Sequence, residues 1–348
     1  MTKKQKKSLL ILVGILAVLA VGLLAVRAHN KAAEKKAATA AAASTSTESS
    51  LTGANLKFSA ISYTNSTATL SFALDKDGNW YWTGDPEFPL DGDYLTKLSN
   101  TLSSLTPQQT ITKGDTLDAY GLTSPAVTLT ATETDGTALK LSLGKATTDG
   151  KSYYLLKDGD QSTVYVVEGT LYTELTRGIY EMITLPKLPT VQESQLSSVT
   201  ISGAAQTALQ ATVSKADSSG AASSADSSAD AASASITWRD ATGADVTGNT
   251  DMTDLISEIC GLTIDHCADY KPSDKAVSIC GFDKPLCTLS VSYTDESGAA
   301  ANFTLTVANK TADGNSCYVR LNSDTTIYAV KSDGLTKLLS VAAAGLTK

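Results

Sequence analysis

Apolar and polar positions alternate in several short stretches of this chain. Val127, Leu129 and Ala131 are separated by Thr128 and Thr130, and Leu139, Leu141 and Leu143 by Lys140 and Ser142. A period of two with one apolar face predicts half-buried antiparallel strands. Asp135-Gly136 and Asp149-Gly150 fall at the ends of these runs and predict turns, because glycine reaches positive φ at no steric cost. Upstream the period changes: Leu95, Leu98, Leu102 and Leu105 recur at three- and four-residue spacing, the apolar stripe of an amphipathic helix. A strand holding Trp80 and Trp82 precedes it. The pattern predicts a helix packed on an antiparallel sheet.

The same succession returns about 160 positions later. Gly121, Pro125, Thr128 and Leu129 coincide with Gly281, Pro285, Thr288 and Leu289. Leu139, Leu141 and Leu143 then match Phe303, Leu305 and Val307 after a short insertion. Thr147, Asp149, Gly150, Ser152 and Tyr154 match Thr311, Asp313, Gly314, Ser316 and Tyr318, and Val164-Tyr165 matches Ile327-Tyr328. Trp238 precedes a second helical stripe, Leu255, Ile259 and Leu262. An ordered match of this length indicates internal repetition. The predicted fold class is α+β: two tandem modules, residues 55–190 and 191–348, each an antiparallel sheet packed with an amphipathic helix. Residues 215–235 hold only small and polar side chains and predict a disordered insert within the second module.

Ahead of the modules the chain is of another kind. Residues 8–26 carry no charge and are almost wholly Leu, Ile, Val, Ala and Gly. A helix rises about 1.5 Å per residue and the hydrocarbon core is about 30 Å thick, so ~18–20 such residues cross a bilayer. The run predicts a transmembrane signal anchor at residues 9–26 behind a cytoplasmic tail of residues 1–8. A cleaved signal peptide is the competing reading, but the run ends in Val26-Arg27-Ala28-His29, a poor cleavage site. Lys3, Lys4, Lys6 and Lys7 precede the span, the usual pattern for an N-terminus inside and the bulk of the chain outside, although Arg27, Lys31, Lys35 and Lys36 narrow the difference. Residues 27–54, poor in large apolar side chains, predict a stalk.

The order tryptophan strand, helix, Tyr120-Gly121-Leu122-x-x-Pro125, alternating strands, Tyr153-Tyr154, Val164-Tyr165-Val166-Val167 and Leu175-Thr176-Arg177 resembles the bacterial domain-of-unknown-function family 4340. The resemblance covers most of residues 70–190 and, more loosely, 236–340; its most specific piece is the YGLxxP run. It implies a membrane-tethered extracytoplasmic module of the kind encoded beside ABC-type transport components, and it carries no catalytic residues over. Cys280 stands where the family has an aromatic.

Charge narrows the partners. Eight Lys/Arg against Glu34 give residues 1–36 a net +7, which leaves −15 of the total −8 on the remainder. Such a body lacks the clustered cations that grip nucleic acid. His266 is the one imidazole beyond the membrane-proximal His29, and a neighbour such as Cys267 is poorly placed to serve it as a nucleophile. The five cysteines, Cys260, Cys267, Cys280, Cys287 and Cys317, sit where the first copy has Asn100, Pro107, Tyr120, Val127 and Tyr153. Their spacing does not suit zinc. An export compartment permits disulfides, with Cys260 or Cys267 joined to Cys280 the candidate, while buried free thiols are the other reading. Asp85, Glu87, Asp91 and Asp93, and later Asp251 and Asp254, suit helix capping and lack the D-x-D-x-D-G spacing of a calcium loop. Trp80, Tyr81 and Trp82 form a candidate ligand surface, as aromatic rings with polar tips do. No catalytic, cofactor or metal site is expected. The expected function is a non-enzymatic scaffold or binding subunit on the outer face of the cell membrane, accessory to a transporter or envelope assembly; the alternative is a protein that binds or hydrolyses an envelope polymer such as carbohydrate or peptidoglycan.

Overall fold

The computed structural model describes residues 50–52, 56–214 and 235–347. The expected tail and anchor lie outside the described residues, as do nearly all of the stalk and of the insert. Among the described residues no helix is long and apolar enough to cross a membrane. Two compact units result, the first ending at Met182 and the second beginning at Ile183, eight residues before the expected boundary. The backbone N–H of Asp91 donates to Met182 O (2.7 Å), which ties that segment to the first unit.

Unit 1 contains β1 (Phe58–Thr64), β2 (Thr69–Leu74), β3 (Trp80–Trp82), α1 (Gly92–Ser103), β4 (Gln109–Ile111), β5 (Val127–Glu133), β6 (Ala138–Ala146), β7 (Ser152–Lys157), β8 (Val164–Glu168) and α2 (Gly169–Leu175). The eight strands form one antiparallel sheet in the order β3-β2-β1-β5-β6-β7-β8-β4. The α1 connection therefore carries the chain from one edge of the sheet to the other. Its stripe of Leu95, Leu98 and Leu102 joins Ile61, Tyr63, Phe72, Leu129, Leu141, Leu155, Leu171 and Leu175 in one buried core. Each such side chain contributes about 1.5–3 kcal/mol when fully buried. Leu51 and Thr52, assigned above to the stalk, are held on this unit: Leu51 N–H donates to Leu105 O (2.7 Å) and the Thr52 hydroxyl to Leu102 O (2.6 Å).

Unit 2 contains β9 (Leu196–Ser202), β10 (Gln206–Ser214), β11 (Ser235–Asp240), α3 (Thr250–Cys260), β12 (His266–Asp269), α4 (Asp274–Ile279), β13 (Cys287–Thr294), β14 (Ala300–Lys310), β15 (Ser316–Leu321), β16 (Ile327–Lys331) and α5 (Thr336–Ala344). Its antiparallel sheet runs β11-β10-β9-β13-β14-β15-β16-β12, the order of unit 1 strand for strand. Register follows too: Leu129 faces Leu141 as Leu289 faces Leu305, and a bulge interrupts β6 between Leu143 and Ala146 and β14 between Val307 and Lys310. Both units are thus antiparallel sheets with a few helices, an α+β architecture. One equivalence differs from the expectation. Cys267 faces Tyr328 as Thr110 faces Tyr165, so its partner position is Thr110 and not Pro107. The spacing drifts because loop lengths differ between the two units.

The YGLxxP run is a packing device on the other side of the sheet. Along β8, Val164 and Val166 leave the main core and join a smaller cluster with Ile111, Tyr120, Leu122 and Leu156. Residues Leu117–Tyr120 form one 3-10 turn, closed by Gly121 at φ 69°. The Tyr120 ring lies 4.6 Å from that of Tyr154, and its hydroxyl accepts from the N–H of Asp115 (2.9 Å). In unit 2 the helix α4 and Cys280 take this position, and the Arg320 guanidinium sits 4.5 Å over the Phe282 ring.

Candidate functional site

The capping residues of α1 and α3 set up the comparison that locates a site. Asp91 caps α1 by accepting from the N–H of Asp93 (3.1 Å). In α3 the cap is Asn249, which accepts from the N–H of Met252 (3.0 Å), so Asp251 and Asp254 do not cap as expected. Asp93 and Asp251 hold equivalent places, two residues past their caps, and meet different surroundings.

In unit 2 that place is filled. Lys337 on α5 approaches Asp251 to 2.8 Å and Asp254 to 3.2 Å. The backbone N–H of Thr347 donates to the Asp251 carboxylate (3.0 Å), as does the Thr347 hydroxyl, and Asn249 Nδ2 donates to Thr347 O (2.6 Å). These donors, led by Lys337, hold the Asp251 carboxyl far below its ordinary value.

In unit 1 the equivalent place opens into a cavity of about 150 Å³ between α1, the end of α2 and β1. Tyr63 reaches it from β1, and Tyr94 and Lys97 from α1. Glu174 and Arg177 come from the end of α2 and the segment after it, and Met182 closes one wall. Asn65 Nδ2 fixes that segment by donating to Leu175 O (3.0 Å), and the Tyr63 hydroxyl donates to Arg177 O (3.1 Å). Burial pushes the Tyr63 phenol well above its ordinary value, so it remains a donor. The Arg177 guanidinium lies 4.8 Å over the Tyr94 ring, a cation–π contact. Glu174 pairs through Oε1 with the exposed Lys97 at 3.1 Å, while its own side chain is only 10% exposed. Two buried atoms on this wall have no hydrogen-bonding partner among the described residues: Glu174 Oε2, an acceptor, and Arg177 Nε, a donor. An unpaired buried polar group costs about 1–3 kcal/mol, so these two atoms are a local cost that the packing of unit 1 offsets.

The residues singled out from sequence are distributed differently. Strand alternation sends Trp80 and Trp82 to the core face and Tyr81 to the other, so the three rings do not form one platform. Trp82 instead packs edge-on against Phe88 at 5.5 Å. All five cysteines are free. The expected bridge from Cys260 or Cys267 to Cys280 is not formed: Cys260 ends α3 near Glu193, whereas Cys267 on β12 and Cys280 after α4 both lie near Asp269. His266 is exposed with Nδ1 2.8 Å from Asp265, and alternation turns Cys267 to the opposite side. Beside it a polar cavity of about 240 Å³ is lined by Asp265, Lys331 and Asp333, but Asp265 already pairs with His266 and, at 3.7 Å, with Lys331. Among the described residues no three His, Cys, Asp or Glu converge as a metal-holding group. Sequence reasoning named Asp91, Asp93 and Arg177 separately but missed Tyr63, Lys97, Glu174 and Met182, for which no local signal exists.

A family model described as "Domain of unknown function (DUF4340)" matches residues 80–285, more than half of the chain. The chain belongs to the DUF4340 family. The DUF4340 match begins at β3 and ends between α4 and β13, and so runs across both units; the resemblance read from sequence covered 70–190 and, loosely, 236–340. The groove residues Tyr94, Glu174 and Arg177 fall inside the DUF4340 match, and Tyr63 precedes it. No curated protein and no solved structure matches the chain.

Proposed function

We propose that this is a single-pass, membrane-anchored protein whose extracytoplasmic body is two copies of one module. In this reading it acts as a non-enzymatic binding or scaffold subunit, accessory to an ABC-type transporter or an envelope assembly. The observation that carries the binding reading is the unit 1 groove, an open place lined by Tyr94, Glu174 and Arg177, whereas Asp251 in unit 2 is met by Lys337 and Thr347. At about 150 Å³ the groove suits one side chain of a partner, short of the ~300 Å³ or more of a typical small-molecule site. Duplication is supported by the common strand order and bulge positions of the two sheets. The anchor rests on the uncharged run at residues 8–26, and the transporter context on the family resemblance alone.

Two measurements test the proposal. In sealed cells stripped of outer layers, an impermeant amine reagent should label the body, and the protein should leave the membrane fraction with detergent but not with high salt. Recovery of the native protein as a soluble cytosolic species would refute the anchor. A photo-crosslinking residue placed at Tyr94, on the rim of the groove, should join the chain to an envelope or transporter protein. The same residue at Thr137, on the exposed β5–β6 turn, is the control. Equal yields from the two positions would refute the groove as the recognition site.

A further inference from the structure

β3 and β11 are edge strands of the two sheets, and they differ in what covers them. Thr83 N–H donates to Ser71 O (2.9 Å) and Asp75 N–H to Asn79 O (2.9 Å), so the hydrogen-bonded pairs of the β2–β3 ladder include Ala73 with Tyr81. The N–H and C=O groups of Trp80 and Trp82 therefore point away from β2, off the edge of the sheet. Trp238 is the counterpart of Trp80: each stands the same distance before its helix cap, Asn249 or Asp91, and Trp238 faces Ala211 as Trp80 faces Leu74. In unit 2 the chain turns back after β11 and meets the outward groups itself. Trp238 N–H donates to the Thr247 hydroxyl (2.8 Å), Trp238 O accepts from Val246 N–H (2.9 Å), and Asp240 N–H donates to Ala244 O (3.0 Å). Arg239 faces Asp245 across this added antiparallel bridge. Unit 1 has Pro86, Glu87, Phe88 and Pro89 at the places of Ala244 to Thr247. Pro89 has no hydroxyl to offer, and Phe88 N–H donates to Asp85 O (3.0 Å). The outward main-chain groups of Trp80 and Trp82 thus have no partner among the described residues.

We infer that β3 is the attachment edge for an extended, basic segment of a partner protein, which adds to the sheet antiparallel to β3 as Ala244 to Thr247 add to β11. Charge selects the partner. Asp75, Asp77, Asp85, Glu87, Asp91 and Asp93 flank β3 in the chain against Lys76 alone, a net −5 over residues 75–93. A second copy would bring the same charge against its like, and an edge of three residues among carboxylates is a defence against self-pairing. The segment that fits is uncharged at its centre and carries lysine or arginine at its ends. Its central side chain lies beside Tyr81, where a β-branched residue pairs well with an aromatic one. The residues of β3 line no part of the groove, so the edge is tested apart from it.

The chain supplies its own reporters. All three of its tryptophans lie on these two edges, so ¹⁵N-tryptophan labelling reads the amides in question. In full-length protein in detergent micelles, the Trp80 and Trp82 amides should exchange freely with solvent while the Trp238 amide is protected. The probe is a peptide of threonine, valine and threonine between paired lysines, acetylated and amidated at its ends. At saturation it should slow exchange at Trp80 and Trp82 by about tenfold or more and leave Trp238 as it was. With the valine beside Tyr81, the N–H groups of both threonines face β3 and that of the valine faces away. N-methylation of the threonines should therefore lower the affinity about tenfold or more, and N-methylation of the valine should not. Glutamates in place of the lysines should abolish the effect. Main-chain pairing is overturned if methylated threonines protect as well as the parent, or if methylated valine fails as badly as they do. Equal protection by the glutamate peptide overturns the basic character of the partner. The inference as a whole is overturned if no peptide slows exchange at Trp80 and Trp82, or if these amides are already protected without peptide; sedimentation as a dimer would then name a second copy as the occupant.

Discussion

Glu258 on α3 holds the first turn of α5, and its removal should loosen unit 2 by a predictable amount. The residue in the capping position of α5 is Leu335, whose side chain cannot accept a hydrogen bond. Glu258 supplies the missing acceptors from another helix, taking the N–H of Lys337 on Oε2 and that of Leu338 on Oε1, both at 2.8 Å. A hydrogen bond to a charged group is worth about 1.5–3 kcal/mol net, but first-turn N–H groups regain water when the carboxylate is lost, so Glu258→Ala should cost about 2 kcal/mol in all. For a unit of this size that is a fall of about 4–8 °C in midpoint. Glu258→Gln keeps one acceptor and sets an amide donor against the other N–H, so it should recover less than half of the loss. Trp238 is fully buried and is the single tryptophan of unit 2, with Nε1 donating to Glu193 (2.9 Å). In a Trp80→Phe, Trp82→Phe background its fluorescence follows unit 2 alone. The reasoning is refuted if Glu258→Ala leaves that urea midpoint within about 0.5 kcal/mol of the parent, or if Glu258→Gln matches the parent.

Three further outcomes follow from particular contacts. A Cβ at Gly144 would run into the backbone oxygen of Tyr120, so Gly144→Val should destabilise unit 1 by about 2 kcal/mol or more, read from the urea transition of Trp80 and Trp82 in a Trp238→Phe background. Burial, with Asp269 adding to it, pushes the Cys267 thiol up to about 12, and burial beside Cys317 pushes Cys287 up to about 11. At pH 8 the half-buried Cys260 should therefore be alkylated first and Cys267 and Cys287 only in denaturant, as peptide mass spectrometry would show. Because the unfolded thiols release protons first, stability should also fall as pH rises from about 9 toward those values. The turn carboxylates Asp295 and Asp313 are held below their ordinary value, chiefly by the hydroxyls of Ser297 and Thr311. Their contribution is complete above the unfolded value of 3.8 and lost as pH falls below it, so Asp295→Asn should flatten the acid limb of a stability–pH curve.

Sequence pattern reveals those parts of this fold in which one period holds without interruption. The leucine stripe of α1 and the strict alternation of β5 and β6 are of that kind, and Leu95, Leu98, Leu102, Val127, Leu129, Ala131, Leu139, Leu141 and Leu143 are all buried. β1 went unseen because a bulge between Phe58 and Ala60 breaks its register, so that Phe58, Ile61 and Tyr63 are buried at uneven spacing. The Cys267 equivalence slipped because a constant offset was carried across loops of unequal length. The groove was illegible for a different reason. Its walls come from β1, α1 and the end of α2, more than a hundred residues apart, and the unmet atoms of Glu174 and Arg177 arise only when those elements pack. The aromatic run at Trp80, Tyr81 and Trp82 looked like a surface because composition does not say which face each ring takes.

The two units of one chain provide an internal control for what is scaffold and what is site. Features they hold in common, such as strand order, the bulges after Leu143 and Val307 and the glycines at 121 and 281, are those a packed sheet requires, and the YGLxxP run belongs with them. Function is better sought where equal positions have unequal surroundings. Asp93 and Asp251 are such a pair: one borders an open groove, and the other is saturated by Lys337 and Thr347. A carboxylate already met by three donors has little left to offer a ligand. A buried acceptor and a buried donor left unmet beside the groove carry a cost in stability that packing in unit 1 must offset. On that argument the open position in unit 1, and not the filled one in unit 2, is where a test for binding should begin.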